Sequence, residues 1–429
     1  MNGLKTNNAP SSNVVIPHFI YGAFNLLILA VVLILADTNL LKAYFNAKLV
    51  AITHIAVLGW ATMIVFGALY QLVPVVFETT LFSEKLAKIT FWFLAVSILF
   101  LSYSFWVGAY TTLLPYSSVC MFFSLLLFIA NIGLTYIKFS LKNIKSTFVI
   151  TAVFWLLITG LIGTIIALNF KFNFLTEVHL HYLKIHATIG LIGWFLLLII
   201  GVGATLIPMF LISHELNETK LSYSYYLINA GLILGLLNWF LIQNLIVDFF
   251  IPLFIVVGVL CFVSFIFDSY KKRLRKKLDI GMQYSIIAIA AIFLPILLIG
   301  FIILKTTFES EFVYRVITFY GFSIIFGLIT TLILGQTYKT LPFIVWLNKY
   351  KNLVGKTKTP LPRELYSEKV ANIQFILYFI FIVFFLLGFV FNEVLMLNIG
   401  SYVLLIVAVL YNLNVFKMIN HKIKSIEND

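Results

Sequence analysis

The stretch that decides the fold is HIAVLGWATMIVFGALYQLVP, which runs from His54 to Pro74. A second copy, TIGLIGWFLLLIIGVGATLIP, follows without a gap at an offset of 134 residues and ends at Pro208, and a weaker third copy ends at Pro342. The positions that coincide are Gly59/Gly193/Gly327, Gly67/Gly201/Gly335, Pro74/Pro208/Pro342 and, in the first two copies, Trp60/Trp194. Agreement of three triplets at one offset predicts an internal triplication.

The composition excludes a soluble protein. Of 429 residues, 62% are hydrophobic and only 10% are charged, and the apolar runs repeatedly reach the ~20 residues needed to cross a bilayer. These runs are continuous rather than alternating, which indicates helices and not a barrel. Cys120 and Cys261 lie inside apolar runs, so neither a disulfide framework nor a thiolate metal site is expected.

The sequence predicts an all-α polytopic membrane protein with twelve transmembrane helices. The predicted spans are roughly 17–36, 48–75, 86–106, 115–137, 147–168, 184–212, 221–244, 247–267, 281–304, 313–345, 369–392 and 394–416. The triplicated stretch is always the second span of a unit of four. We therefore expect one membrane domain built from three pseudo-symmetric four-helix arcs, with repeat units of about 17–146, 147–280 and 281–416 and with tails at 1–16 and 417–429.

The distribution of lysine and arginine predicts the orientation. The first 16 residues are polar and lack a cleavable signal pattern. With the N-terminus inside, the inner segments hold 22 basic residues and the outer segments hold six, so both termini are predicted to be cytoplasmic in a bacterial inner membrane. The net charge of +13 therefore reflects topology, and no nucleic-acid partner is expected. For the two most basic loops, 271–277 and 349–369, the ordinary interpretation is retention plus contact with anionic headgroups of the lipid bilayer.

Histidines are the main candidates for chemistry, because ionisable groups inside a membrane are costly. His54 lies about six residues into the second span. On an ideal helix the glycines of that span are expected to form a close-packing face, and His54 points the other way. It could ligate a haem iron or copper, or make an interhelical hydrogen bond. No Asp or Glu lies in the middle of a span, which argues against a proton-driven transporter.

A second group of candidates surrounds the sixth span. His179, His181 and His186 in HLHYLKIH could gather copper or zinc, although the first two are expected in the outer loop or interface, where histidines without a metal are common. Arg315, near the start of the tenth span, could pair with haem propionates, a lipid phosphate or Glu309 and Glu311. His18, His214 and His421 are interpreted as residues of the inner surface or tail, and Tyr320, Tyr338 and Lys339 give the tenth span a polar face.

The layout of twelve spans with histidines near the outer ends of spans two and six resembles subunit I of the haem-copper oxidase superfamily. The phrase HATIGLIGW…GATLIPMFLISH is similar to divergent small members of that superfamily, and the layout is also similar to haem- and copper-containing proteins of the nitric-oxide response. The resemblance covers the whole chain in layout but only spans two and six in motif. It implies that His54 is the low-spin haem ligand and His186 a copper ligand, with Tyr320 and Arg315 beside the cofactor.

The same resemblance shows what this chain lacks. The superfamily places a His-x-His on span ten and a histidine pair at span seven, whereas here Tyr320 and Phe322 stand on span ten and no histidine occurs between His214 and His421. A binuclear centre cannot be built, so an active terminal oxidase is not expected. Two hypotheses follow: a protein that keeps one haem b or copper for electron transfer or nitric-oxide or metal handling, with a partner membrane subunit or cytochrome, or a cofactor-free scaffold, assembly partner or small-molecule or lipid transporter.

Overall fold

The computed structural model describes residues 8–76, 78–139, 142–304 and 310–423. Within these ranges the chain is helical without strands, and twelve helices are long and apolar enough to cross a membrane. They are α1 (Ser12–Leu41), α2 (Ala47–Val75), α3 (Glu84–Val107), α4 (Leu114–Ile137), α5 (Ile144–Phe172), α6 (His179–Leu211), α7 (Thr219–Ile242), α8 (Leu245–Lys271), α9 (Ile280–Ile303), α10 (Glu311–Leu353), α11 (Glu368–Phe391) and α12 (Val394–Ile419). The predicted fold class and number of spans are confirmed, while the grouping into three arcs remains a prediction.

The described chain separates into two compact units. The first comprises residues 76–278 and 293–304, in which α3 packs on α4, α4 on α5, α5 on α6, and α8 on both α6 and α7. The second comprises residues 8–75, 279–292 and 310–423, in which α1 packs on α2 and α12, α9 on α10, and α11 on α12. The second unit thus joins the beginning of the chain to its end.

Three segments of π-helix repeat at the offset found in the sequence. They are Ile55–Thr62 in α2, Ile189–Leu196 in α6 and Ser323–Thr330 in α10, each eight residues long and each 134 residues after the one before. Segments of π-helix are rare and usually single-turn insertions. Because these segments recur, the three copies share a backbone irregularity that no single residue type in the sequence predicts.

The glycines of the repeat allow each of these helices to pack closely against the helix that precedes it. A Cβ atom built on the second glycine of each copy would meet the Cβ of the facing residue at 2.5–2.8 Å and a backbone carbonyl oxygen at 2.7–3.2 Å. The pairs are Gly67 with His18, Gly201 with Phe148, and Gly335 with Tyr284. The first glycine of each copy faces the residue seven positions further along the preceding helix, in the pairs Gly59 with Asn25, Gly193 with Trp155, and Gly327 with Ala291. The predicted close-packing glycine face is confirmed.

The π-helix explains a mismatch between the two helices of each pair. The paired glycines are eight positions apart, whereas the residues they face are seven positions apart. Seven residues return an α-helix to nearly the same face, and eight do not. A π-helical turn contains more residues than an α-helical turn, so the π-helix takes up the one extra residue between the two glycines. Both glycines therefore face the preceding helix.

Candidate functional site

His54 ends the first α-helical segment of α2, directly before the π-helix. The side chain of Asn46 caps this segment by accepting a hydrogen bond from the amide of Leu49, which fixes the start of the helix. The imidazole Nδ1 lies 2.8 Å from the carbonyl oxygen of Val50. Because a carbonyl can only accept, the proton is on Nδ1, and in the neutral ring Nε2 carries the lone pair that a metal requires.

His186 shows the same tautomer in a different setting. Its Nδ1 lies 3.0 Å from the carbonyl oxygen of Thr159 on α5, so Nε2 again carries the lone pair. The ring rests on Gly163, where an added Cβ would come within 2.7 Å of the imidazole Cε1. His186 is therefore held against α5 within the first unit, by a carbonyl bond of the kind that orients metal-ligating histidines.

His179 and His181 are in the helix rather than in a loop, because α6 begins at His179. The amide Nδ2 of Asn169 donates to Nε2 of His179 at 3.1 Å, and the ring stacks on Phe170 at a centroid distance of 4.3 Å. In contrast, Nε2 of His181 donates to the carbonyl oxygen of Trp239 at 3.1 Å. The two side chains thus tie the start of α6 to two different helices, α5 and α7.

The three histidines of HLHYLKIH are consequently engaged with Asn169, Trp239 and Thr159 and do not share one partner. In the part of the chain that the structure describes, no group of three His, Cys, Asp or Glu side chains is arranged to hold a metal ion. The copper or zinc site at His179, His181 and His186 stays a prediction drawn from the sequence.

The residues of α10 that the resemblance pointed to have separate surroundings. Phe322 is buried and stacks on Phe326 and Phe385, with ring centroids 4.9 and 4.8 Å away. Phe319, Phe381 and Phe389 complete this cluster within the second unit, which we call the phenylalanine stack. Tyr320 is half-buried, and the guanidinium of Arg315 lies 5.5 Å from the ring of Phe312. Glu309, a predicted partner of Arg315, lies outside the described residues.

Two of the histidines assigned to the inner surface or tail are integrated into the fold. His18 is completely buried, donates from Nδ1 to the carbonyl of Val14 at 2.9 Å, and contacts the ring of Tyr70 edge-on at 5.6 Å. The interfacial interpretation of His18 is therefore wrong, since Gly67 leaves the space that its side chain fills. His421 is anchored by its Nδ1, which lies 2.7 Å from the hydroxyl of Tyr350.

The second unit also contains a buried polar network that the sequence did not reveal. The hydroxyl of Tyr338 donates to Oε1 of Gln374 at 2.6 Å, Gln374 donates to the hydroxyl of Tyr284, and Asn414 donates to that of Tyr338. All four side chains are at most 3% exposed. They belong to α9, α10, α11 and α12, so the network satisfies polar groups that lipid could not. The tyrosine on α10 was visible as part of a polar face, but its partners come from three other helices.

Close to this network, the ammonium of Lys339 forms an ion pair with the carboxylate of Asp279, which also caps α9 by accepting from the amide of Met282.

A further polar cluster in the first unit surrounds Asp248. Its Oδ1 accepts from Nδ2 of Asn238 at 2.9 Å and from Nε1 of Trp239 at 2.8 Å, and Lys184 approaches its Oδ2 at 3.5 Å. Both clusters join residues that are far apart along the chain or in different helices.

The donor sets can be compared with what haem b or copper needs. His54 and His186 each offer one imidazole nitrogen with a lone pair, which fits a single protein ligand to haem iron or copper. The phenylalanine stack occupies the part of α10 where the resemblance would place histidines, and it offers no ligand atom. The residues therefore fit a cofactor with one histidine ligand and do not fit a binuclear centre.

Compared with known proteins, the chain matches no family model and no curated relative.

Proposed function

We propose that the protein is a multi-pass protein of a bacterial inner membrane that binds one haem b or one copper ion through His54 and does not reduce oxygen. Both termini would be cytoplasmic, as the distribution of basic residues indicates. The proposal is supported by one observation above the others, the bond from Nδ1 of His54 to the carbonyl of Val50, which places the lone pair of the neutral ring on Nε2. Its role would be electron transfer or nitric-oxide or metal handling, with a partner membrane subunit or a cytochrome.

The part that the chain itself contributes is positioning. The Asn46 cap and the π-helix hold the segment from Ala47 to His54, and the carbonyl of Val50 orients the ring. A haem b or copper ion bound there would supply one-electron redox chemistry. His186 is a second single-ligand position, oriented by Thr159 in the first unit.

The second candidate function is a cofactor-free scaffold, assembly partner or small-molecule or lipid transporter. It is favoured by the phenylalanine stack and by the six glycine contacts, which are features of close helix packing and require no cofactor. The two candidates differ in whether His54 is a ligand or only a capping side chain of its own helix.

Optical spectroscopy and elemental analysis of the purified full chain separate the candidates. Under the proposal, protein produced with haem and copper available shows a Soret band or about one equivalent of copper, which His54→Gly abolishes and His421→Gly leaves in place. Imidazole added to His54→Gly should restore the band, which a merely structural role would not do. Wild-type protein with neither a Soret band nor copper would establish the cofactor-free candidate instead.

A further inference from the structure

The loop that follows α8 combines dense positive charge with an exposed apolar residue. Residues 271–277 contain six cations, Lys271, Lys272, Arg273, Arg275, Lys276 and Lys277, and one apolar residue, Leu274. We call this segment the basic loop. The sequence accounts for its charge by topology, but topology alone does not require the loop to have a fixed shape.

The basic loop is held against the end of α6. The amide of Leu274 donates to the carbonyl of Ile212 at 3.4 Å, and the amide of Arg275 donates to that of Leu211 at 3.2 Å. The ammonium of Lys272 reaches the carbonyl of Glu215 at 2.6 Å. These contacts hold the loop in one conformation in the free protein. Less conformational entropy is therefore lost when the loop binds a ligand.

Arg273 is the most constrained of these cations. Its guanidinium lies 3.7 Å from the ring centroid of Tyr270, and Nη1 donates to the carbonyl of the same residue at 2.6 Å. Its Nε–H is buried and has no acceptor among the described residues. A guanidinium that is fixed on one side and still has donors to satisfy suits the oxygens of a phosphate group.

Two carboxylates near the loop are paired with lysines that lie outside it. Asp268 pairs with Lys220 at 2.5 Å, and Glu218 pairs with Lys145 at 2.7 Å, so these acids are matched to lysines outside the basic loop. Six cations within seven residues give the loop a positive potential that attracts an anion.

An apolar surface lies beside the charge. Leu274 is 67% exposed between Arg273 and Arg275, and Phe267 is 54% exposed, with the ammonium of Lys271 4.4 Å from its ring. A free phosphate would use only the cations, whereas a phospholipid offers both a phosphate and acyl chains. We propose that the basic loop, together with Phe267, Tyr270 and the end of α6, is a binding site for the phosphate of an anionic phospholipid.

Native mass spectrometry of the full chain tests this site. Detergent-solubilised protein is titrated with phosphatidylglycerol or phosphatidylcholine, and binding of the first lipid is counted. The expected result is a preference for phosphatidylglycerol that falls on the order of tenfold when Arg273→Gln and Arg275→Gln are combined. The matched control, Lys356→Gln with Lys358→Gln, removes the same charge from the other basic loop and should leave the preference unchanged.

Two further arms separate a lipid from its headgroup alone. Leu274→Ser should weaken binding of phosphatidylglycerol, and neither inorganic phosphate nor glycerophosphoglycerol should displace the lipid. Thermal unfolding in detergent verifies that the variants are folded. The proposal is overturned if both lipids bind equally, if the control loses the preference as strongly as the Arg273 and Arg275 variant, or if inorganic phosphate displaces the lipid.

Discussion

Gly335 of α10 and Tyr284 of α9 are so close that a Cβ atom built on the glycine would lie 2.5 Å from the Cβ of the tyrosine. The same added atom would lie 2.7 Å from the backbone oxygen of Gly281, so neither side can yield by rotating a side chain. The equivalent contacts at Gly67 and Gly201 show that this approach is a repeated property of the helix pairs. The repeat in the sequence is thus a repeat of interhelical contacts.

Gly335→Ala is therefore expected to destabilise the protein. The added methyl group must push α9 and α10 apart, and such overpacking typically costs about 1–3 kcal/mol. The measurement is thermal unfolding of the purified protein in detergent. Gly133→Ala on α4 is the matched control, because an added Cβ there meets nothing within 4 Å among the described residues, and alanine favours helix. Equal unfolding temperatures for the two variants would contradict the role assigned to the contact.

The ion pair between Lys339 and Asp279 supports a second prediction. The side chain of Lys339 is only 11% exposed, so removing Asp279 leaves a cation in a poorly hydrated position. A double-mutant cycle with Lys339→Met and Asp279→Asn should give a coupling free energy of about 1–3 kcal/mol, between the values typical of exposed and of buried pairs.

The pair of Lys145 and Glu218 provides the control for this cycle. Its side chains are 27% and 49% exposed, so its coupling should not exceed about 1 kcal/mol. Unfolding in denaturant gives both couplings. If the two pairs couple equally, burial is not what strengthens the contact of Lys339 with Asp279.

The repeat, the number of spans and the packing role of the glycines could be predicted from the sequence, because periodic apolar runs and small residues at fixed spacing determine them. The π-helices could not be predicted, because the extra residue that each one takes up is recognised only when Gly59 and Gly67 are compared with the residues they face. The network around Gln374 was also hidden, because its members come from four helices that the sequence does not align. The interpretation of His18 as an inner-surface residue is wrong for a similar reason. Its position at the start of the span favours the interface, whereas the space beside Gly67 buries it.

Tyr366, in the loop before α11, gives a prediction for alkaline pH. Burial, followed by the charge of Asp279, raises the pKa of its hydroxyl to about 12, whereas an unfolded tyrosine titrates near pH 10. The folded state therefore holds this proton more tightly. Its contribution to stability is complete below about pH 10 and is lost as the pH rises towards 12.

Ultraviolet titration of tyrosinate absorbance, as the difference between wild type and Tyr366→Phe, measures this pKa. Tyr402→Phe on α12 is the control, because it removes one tyrosine hydroxyl elsewhere and should leave the transition of Tyr366 in place. A difference spectrum for Tyr366 with a midpoint near pH 10 would show that the loop is open to water.

The phenylalanine stack leads to the last prediction, which also bears on the choice between the two candidate functions. Phe322 is 8% exposed and its ring is nearly parallel to that of Phe385, at an interplanar angle of 10°. Phe322→Ala should destabilise the protein by about 3–5 kcal/mol, since it removes a buried aromatic side chain and leaves a cavity. Phe391→Ala, at a position 66% exposed, should cost far less. Both are measured by unfolding in detergent, with the optical spectrum recorded in parallel.

Because the stack holds no ligand atom, a cofactor on His54 should survive Phe322→Ala in the folded protein. Loss of the Soret band in folded Phe322→Ala would instead place the stack against the cofactor.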